Sequence, residues 1–104
     1  MSHRAARFSS TLKQCLADVL LNEVQNPHLK SVSIAEVTVS DDLKKADVFV
    51  SSESPDADDL IANLTNARGF IKRVLAKKMY LKYMPELYFK KKENDGNQNE
   101  EESR

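Results

Sequence analysis

Few side chains in this 104-residue sequence have the types and spacing that chemistry needs. His3 and His28 stand without a ligand-spaced partner, and Cys15 is the single cysteine. Zinc sites of the common kinds need several such donors, so no metal site is expected. A lone thiol with nothing to activate it reads as a small helix side chain rather than a nucleophile. The adjacent carboxylates Asp41–Asp42 and Asp58–Asp59 would point apart on a turn or helix, which makes them poor acid–base pairs. Turn formation and helix capping explain them more simply. Glycine occurs only at Gly69 and Gly96, so no glycine-rich phosphate loop is present. The residues point away from an enzyme, and neither a cofactor nor a metal is expected.

Charge is the informative property. The formal net charge is zero, but it is segregated. Residues 1–35 sum to +2, 36–67 to −6, 68–92 to +8 and 93–104 to −4. Such blocks create local potentials that the total conceals. Residues 68–92 hold nine bases against Glu86 alone, whereas an ordinary solvated face intersperses both signs. Phosphate binding is the expectation. On a helical wheel Lys72, Arg73 and Lys77 fall within roughly 140°, opposite Phe70, Val74 and Leu81. Arg68 lies nearby, and Lys82 with Lys90, Lys91 and Lys92 extends the positive region toward the end of the chain. Lys78 falls in the apolar arc, where it either snorkels or marks fraying. Arg4 and Arg7 either join the patch or solubilise the start of the first helix. Tyr80, Tyr83 and Tyr88 interleave with lysines. Their rings either stack on unpaired bases or edge a small core.

The elements that must position these groups follow from periodicity. Phe8, Leu12, Leu16, Val19 and Leu20, with Cys15 beside them, make one apolar stripe on a helix from about Arg4 to Val24. Asn26–Pro27 stops it. Val32, Ile34, Val37 and Val39 form a β-branched strand whose two halves are out of phase. Either a bulge near Ala35–Glu36 or a strand buried on both faces accounts for this. Residues 40–45 read as a hairpin connection, and Ala46, Val48 and Val50 alternate as the antiparallel partner strand. Ser54–Pro55–Asp56 starts a second helix, continued by Ala57, Leu60, Ile61, Leu64 and Ala67. The period restarts at Phe70, Ile71, Val74 and Leu75. Gly69 between them costs about 1 kcal/mol relative to alanine inside a helix, which suggests a kink or a close backbone approach. Met84–Pro85 ends the helical run, and Glu86–Phe89 is a short last strand with distant partners.

The order is α, β, β, α–kink–α, β: an α+β sandwich with helices packed on one face of a three-stranded sheet. One domain is expected over 1–90, followed by a disordered acidic tail over 91–104. No apolar run reaches the roughly 18 residues that crossing a membrane needs. The N-terminus lacks the apolar stretch of a secretory signal, and one cysteine is compatible with a reducing, cytoplasmic setting.

Five segments in order resemble the bacterial ribosome-binding factor A family. They are Arg4-Ala5-Ala6-Arg7, Asn26-Pro27-His28-Leu29, Val37–Leu43 with Lys45–Val50, Asn66–Arg73, and Pro85–Phe89. The resemblance covers roughly residues 4–90. It implies a type II KH-like fold in which the usual Gly-x-x-Gly loop is replaced by a kink, here Ala67-Arg68-Gly69. It also implies a cytoplasmic, non-catalytic factor that binds the small (30S) ribosomal subunit and its precursors. Such a factor promotes late maturation, including 5′-end processing of the small-subunit rRNA, and matters most in the cold. Family members often continue past the last strand with an Asp and further ordered residues. This chain departs there, so contacts of that extension are not carried over.

The expected RNA-binding residues are Arg4, Arg7, Arg68, Lys72, Arg73, Lys77 and Lys82, with Ala67 and Gly69 setting the kink. The expected form is a monomer on precursor small-subunit rRNA, with no membrane partner. A protein–protein adaptor engaging an acidic partner is the alternative.

Overall fold

The computed structural model describes residues 2–30, 32–52 and 57–92. Helix α1 (His3–Asn22) is followed by a single turn, α2 (Pro27–Lys30). Strands β1 (Val32–Val39) and β2 (Lys45–Ser52) form the hairpin. Helices α3 (Ala57–Asn66) and α4 (Arg68–Met79) precede β3 (Glu86–Lys91). The α-β-β-α-α-β order expected from periodicity holds. Only α2 was not anticipated: α1 already ends at Asn22, and Pro27 fits the first position of a new turn. Four residues are too few to show a period.

The sheet order is β1-β2-β3, with β1 antiparallel and β3 parallel to the central β2. A register shift between Ile34 and Glu36 leaves Ala35 unpaired. This is the bulge reading of the out-of-phase strand. It turns Ile34, Val37 and Val39 to one face, opposite Val50, Val48 and Ala46. That face carries the core: Leu12, Leu16, Val19 and Leu20 of α1, Leu60 and Leu64 of α3, Ile71 and Leu75 of α4, and Leu87 and Phe89 of β3. Leu29 of α2 is also buried. At about 25 cal/mol per Å² of apolar area buried, this one layer supplies most of the driving force.

Two polar devices hold α1 on the sheet. The buried Ser9 hydroxyl donates to the Ala5 carbonyl at 2.7 Å and accepts from the Val39 N–H at 3.1 Å. Asp41 accepts from the Ser2 N–H at 2.7 Å. In the hairpin loop, the Asp42 carboxylate accepts from the Ser40 hydroxyl and the Lys44 N–H. Those bonds hold its pKa below the ordinary carboxylate value. Asp42 therefore serves the turn, as expected, whereas the bond of Asp41 ties the start of α1 to the hairpin loop.

β3 runs to Lys91, and the Lys92 N–H still donates to the Val50 carbonyl at 2.8 Å. The ordered body thus passes the expected limit at residue 90. The rest of the acidic tail, and the Ser54–Pro55–Asp56 helix start, lie outside the described residues.

Candidate nucleic-acid interface

The α3–α4 junction sits at Ala67, in the bridge region at φ −88°, ψ 0°. Hydrogen bonding crosses it: the Ala67 N–H donates to Asn63, and the Ile71 N–H donates to the Ala67 carbonyl. Gly69 has no positive φ, and a Cβ placed on it would meet nothing within 4 Å. The close backbone approach suggested by its type is therefore absent. Within the fold the break belongs to Ala67, and Gly69 is an exposed position in the first turn of α4. At the other end, Tyr80 takes a left-handed conformation (φ 54°), and the Leu81 N–H reaches back to the Ala76 carbonyl at 3.0 Å. This is the usual helix stop, with tyrosine where glycine is favoured.

The structure divides the basic residues of α4 into two groups. Arg68 and Lys72 turn toward β3. Arg68 donates to the Leu87 carbonyl at 3.2 Å, and Lys72 is paired with Glu86 at 3.0 Å. These two tie the helix to the strand. Arg73 and Lys77 face outward and have no acidic partner among the described residues. Arg73 lies 6.0 Å over the Phe70 ring. Phe70 is 40% exposed and lies beside Arg73 and Lys77, not opposite the basic arc as expected. The signal was available: positions 70, 73 and 77 are spaced i, i+3, i+7 and share a stripe. Lys77 also lies in the last turn, where a cation suits the negative end of the helix dipole.

Lys78 neither snorkels freely nor marks fraying. It is paired with Asp18 of α1 at 2.9 Å. The bond from Lys78, aided by one from Asn22, lowers the Asp18 pKa, and the same bond raises that of Lys78. Lys82 follows in the loop after α4, with its ammonium 5.5 Å over the Tyr83 ring. Tyr80 and Tyr83 are 94% and 79% exposed, so neither edges the core. The expected extension of the patch along β3 is weakened. Lys90 pairs with Asp47 and Lys92 approaches Glu36, both on the outer face of the sheet.

Arg4 and Arg7 lie across from the end of α4. They rim a groove of ≈ 540 Å³ between α1 and α4, whose walls include Phe8, Cys15, Met79 and Leu81. Periodicity places Phe8 and Cys15 on the α1 stripe but says nothing of which helix faces them, so this groove was not foreseen. Among the described residues no group of three or more His, Cys, Asp or Glu could hold a metal.

Comparison with known proteins agrees with this architecture. The family model of ribosome-binding factor A matches residues 4–103. A ribosome-binding factor A of Carboxydothermus hydrogenoformans is 38% identical over 91 residues, spanning 85% of this chain and 72% of that one. The crystal structure of ribosome-binding factor A from Thermus thermophilus superposes with a TM-score of 0.74 at 22% identity, covering 84% of this chain and 94% of the other. Thermus thermophilus ribosome-binding factor A, fitted as a homology model into a cryo-EM map of a 30S complex, superposes at 0.69 with 22% identity, covering 88% and 93%. A bulged hairpin, a helix broken at Ala67 and a parallel third strand thus accompany the sequence match, and the chain belongs to the ribosome-binding factor A family.

Proposed function

We propose that this protein binds the small (30S) ribosomal subunit in the cytoplasm as a non-catalytic monomer and assists its late maturation, including 5′-end processing of the small-subunit rRNA. A demand for it in the cold belongs to the same reading. The observation that carries it is the outward stripe of α4, where Arg73 and Lys77 stand beside an exposed aromatic ring with no acidic partner among the described residues. The 30S complex described for the Thermus thermophilus relative supports the partner.

In this reading Arg73, Lys77 and Lys82, with Arg4 and Arg7 across the groove, contact phosphates. Arg68 and Lys72 fix α4 on β3; Arg68, bonded to a neutral carbonyl, adds to the field, whereas Glu86 offsets the charge of Lys72. Phosphate contacts set position but read little sequence, so specificity comes from the shape of the maturing subunit. Assistance to maturation follows from tighter binding to one rRNA conformation than to another. Ala67 sets the junction, and the bare backbone at Gly69 leaves room for RNA to approach α4.

Co-sedimentation tests the partner. The protein is expected to pellet with free small subunits and not with complete ribosomes. Equal binding to both would contradict a maturation role. Capture of an acidic protein with no subunit binding would favour an adaptor.

A further inference from the structure

We propose that the groove between α1 and α4 is a receptor for one unstacked nucleotide of single-stranded RNA. This rests on the functional reading above and names what part of the RNA enters. The groove volume of ≈ 540 Å³ lies within the roughly 300–1,000 Å³ typical of small-molecule sites. Phe8, Met79 and Leu81 give it an apolar wall suited to the flat face of a base, and thioether sulfur packs well against aromatic rings. Arg4 and Arg7 stand at the rim, and among the described residues no acidic side chain lines it. Guanidinium groups suit phosphate by bidentate bonding and bases by stacking. Lys78 also lines the groove, but Asp18 offsets its charge. The net positive rim is therefore set by the two arginines.

A second observation points the same way. Tyr80 and Tyr83 project almost fully exposed from the loop that leaves this end of α4. Tyr80 does so from a left-handed backbone that disfavours a non-glycine residue, with no burial in return. Rings presented this way can stack the neighbouring bases of the same strand. The occupant therefore combines a planar apolar body with an anionic backbone, and a nucleotide extruded from a helix has that chemistry.

Cys15 lines the groove and is the only thiol of the chain, so it reports occupancy. The experiment measures alkylation of Cys15 by iodoacetamide in the full-length protein. Three additions are compared: a single-stranded hexaribonucleotide, an abasic ribose-phosphate hexamer of equal charge, and decanoate. The hexaribonucleotide is expected to slow alkylation by about tenfold at ten times its Kd, and the abasic hexamer to leave the rate unchanged. Equal protection by both hexamers, or none by either, would overturn the proposal, as would protection by decanoate alone. Thr11, exposed on α1, also lines the groove. Thr11→Trp should fill the groove and abolish base-dependent binding. A ¹³C methyl spectrum of Met79 checks that the variant is folded, and shifts of that methyl on adding the hexaribonucleotide to the unmodified protein give an independent reading. If Thr11→Trp is folded and binds the hexaribonucleotide and small subunits like the unmodified protein, the groove assignment fails while the functional reading stands. If the unmodified protein binds no subunits, it is the functional reading that fails.

Discussion

Replacing Gly69 by alanine separates two roles that the residue type alone conflates. If glycine were needed to bend the helix, alanine would strain the α3–α4 junction and destabilise the fold. The structure places the bend at Ala67 and leaves Gly69 helical, with open space where a Cβ would go. Alanine is therefore compatible with the native backbone, and it narrows the unfolded ensemble. The Gly-to-Ala gain in a helix interior is roughly 0.5–1 kcal/mol. Gly69 lies in the first turn, so the lower end, about 0.5 kcal/mol, is the appropriate figure. For a domain of this size that raises Tm by about 2–4 °C. Thermal unfolding followed by circular dichroism measures it. The same variant should bind small subunits more weakly, because the methyl group stands where RNA approaches. A lower Tm would refute the assignment of the bend to Ala67. A higher Tm with unchanged binding would leave the stability argument intact and remove Gly69 from the interface.

Two further outcomes test the scaffold. Ser9→Ala should cost about 1–3 kcal/mol, measured by urea unfolding, because it leaves the buried Val39 N–H without the hydroxyl it now donates to; a change below about 0.5 kcal/mol, within the gain in helix propensity, would show that another acceptor replaces it. Asp18 has a folded pKa below its ordinary 3.8, chiefly through Lys78, so its contribution is full above that value and is lost as pH falls through the folded pKa. Asp18→Asn should therefore flatten the acid limb of the stability–pH curve below about pH 4, and an unchanged limb would show that the α1–α4 pair is not formed in solution.

Much of the fold was legible because its signals are local. The stripe from Leu12 to Leu20, the alternation at Ala46, Val48 and Val50, and the phase slip at Ala35 each report a neighbour's position through a short period. The Ser40–Asp42 loop was legible for the same reason, since its bonds close within five residues. The basic segment was legible as charge, but its division was not. Whether Arg68 and Lys72 face solvent or β3 depends on a strand some fifteen residues away, with Glu86 in register beside Lys72. Lys78 and Asp18 are sixty residues apart in sequence, and no helical wheel joins them. Gly69 is ambiguous in the sequence, because a propensity cost does not say whether the backbone bends there. In the structure the cost is not repaid inside the chain, which directs attention to what binds there.

The salt dependence of small-subunit binding tests the central claim most directly. Removing one cation that neutralises a phosphate should reduce the slope of log K against log salt by about one. Arg73→Gln with Lys77→Gln, compared with the unmodified protein between 50 and 200 mM salt, should thus shallow the slope by about two and weaken binding at low salt. An unchanged slope and affinity in the folded double variant would show that the outward stripe of α4 does not touch RNA.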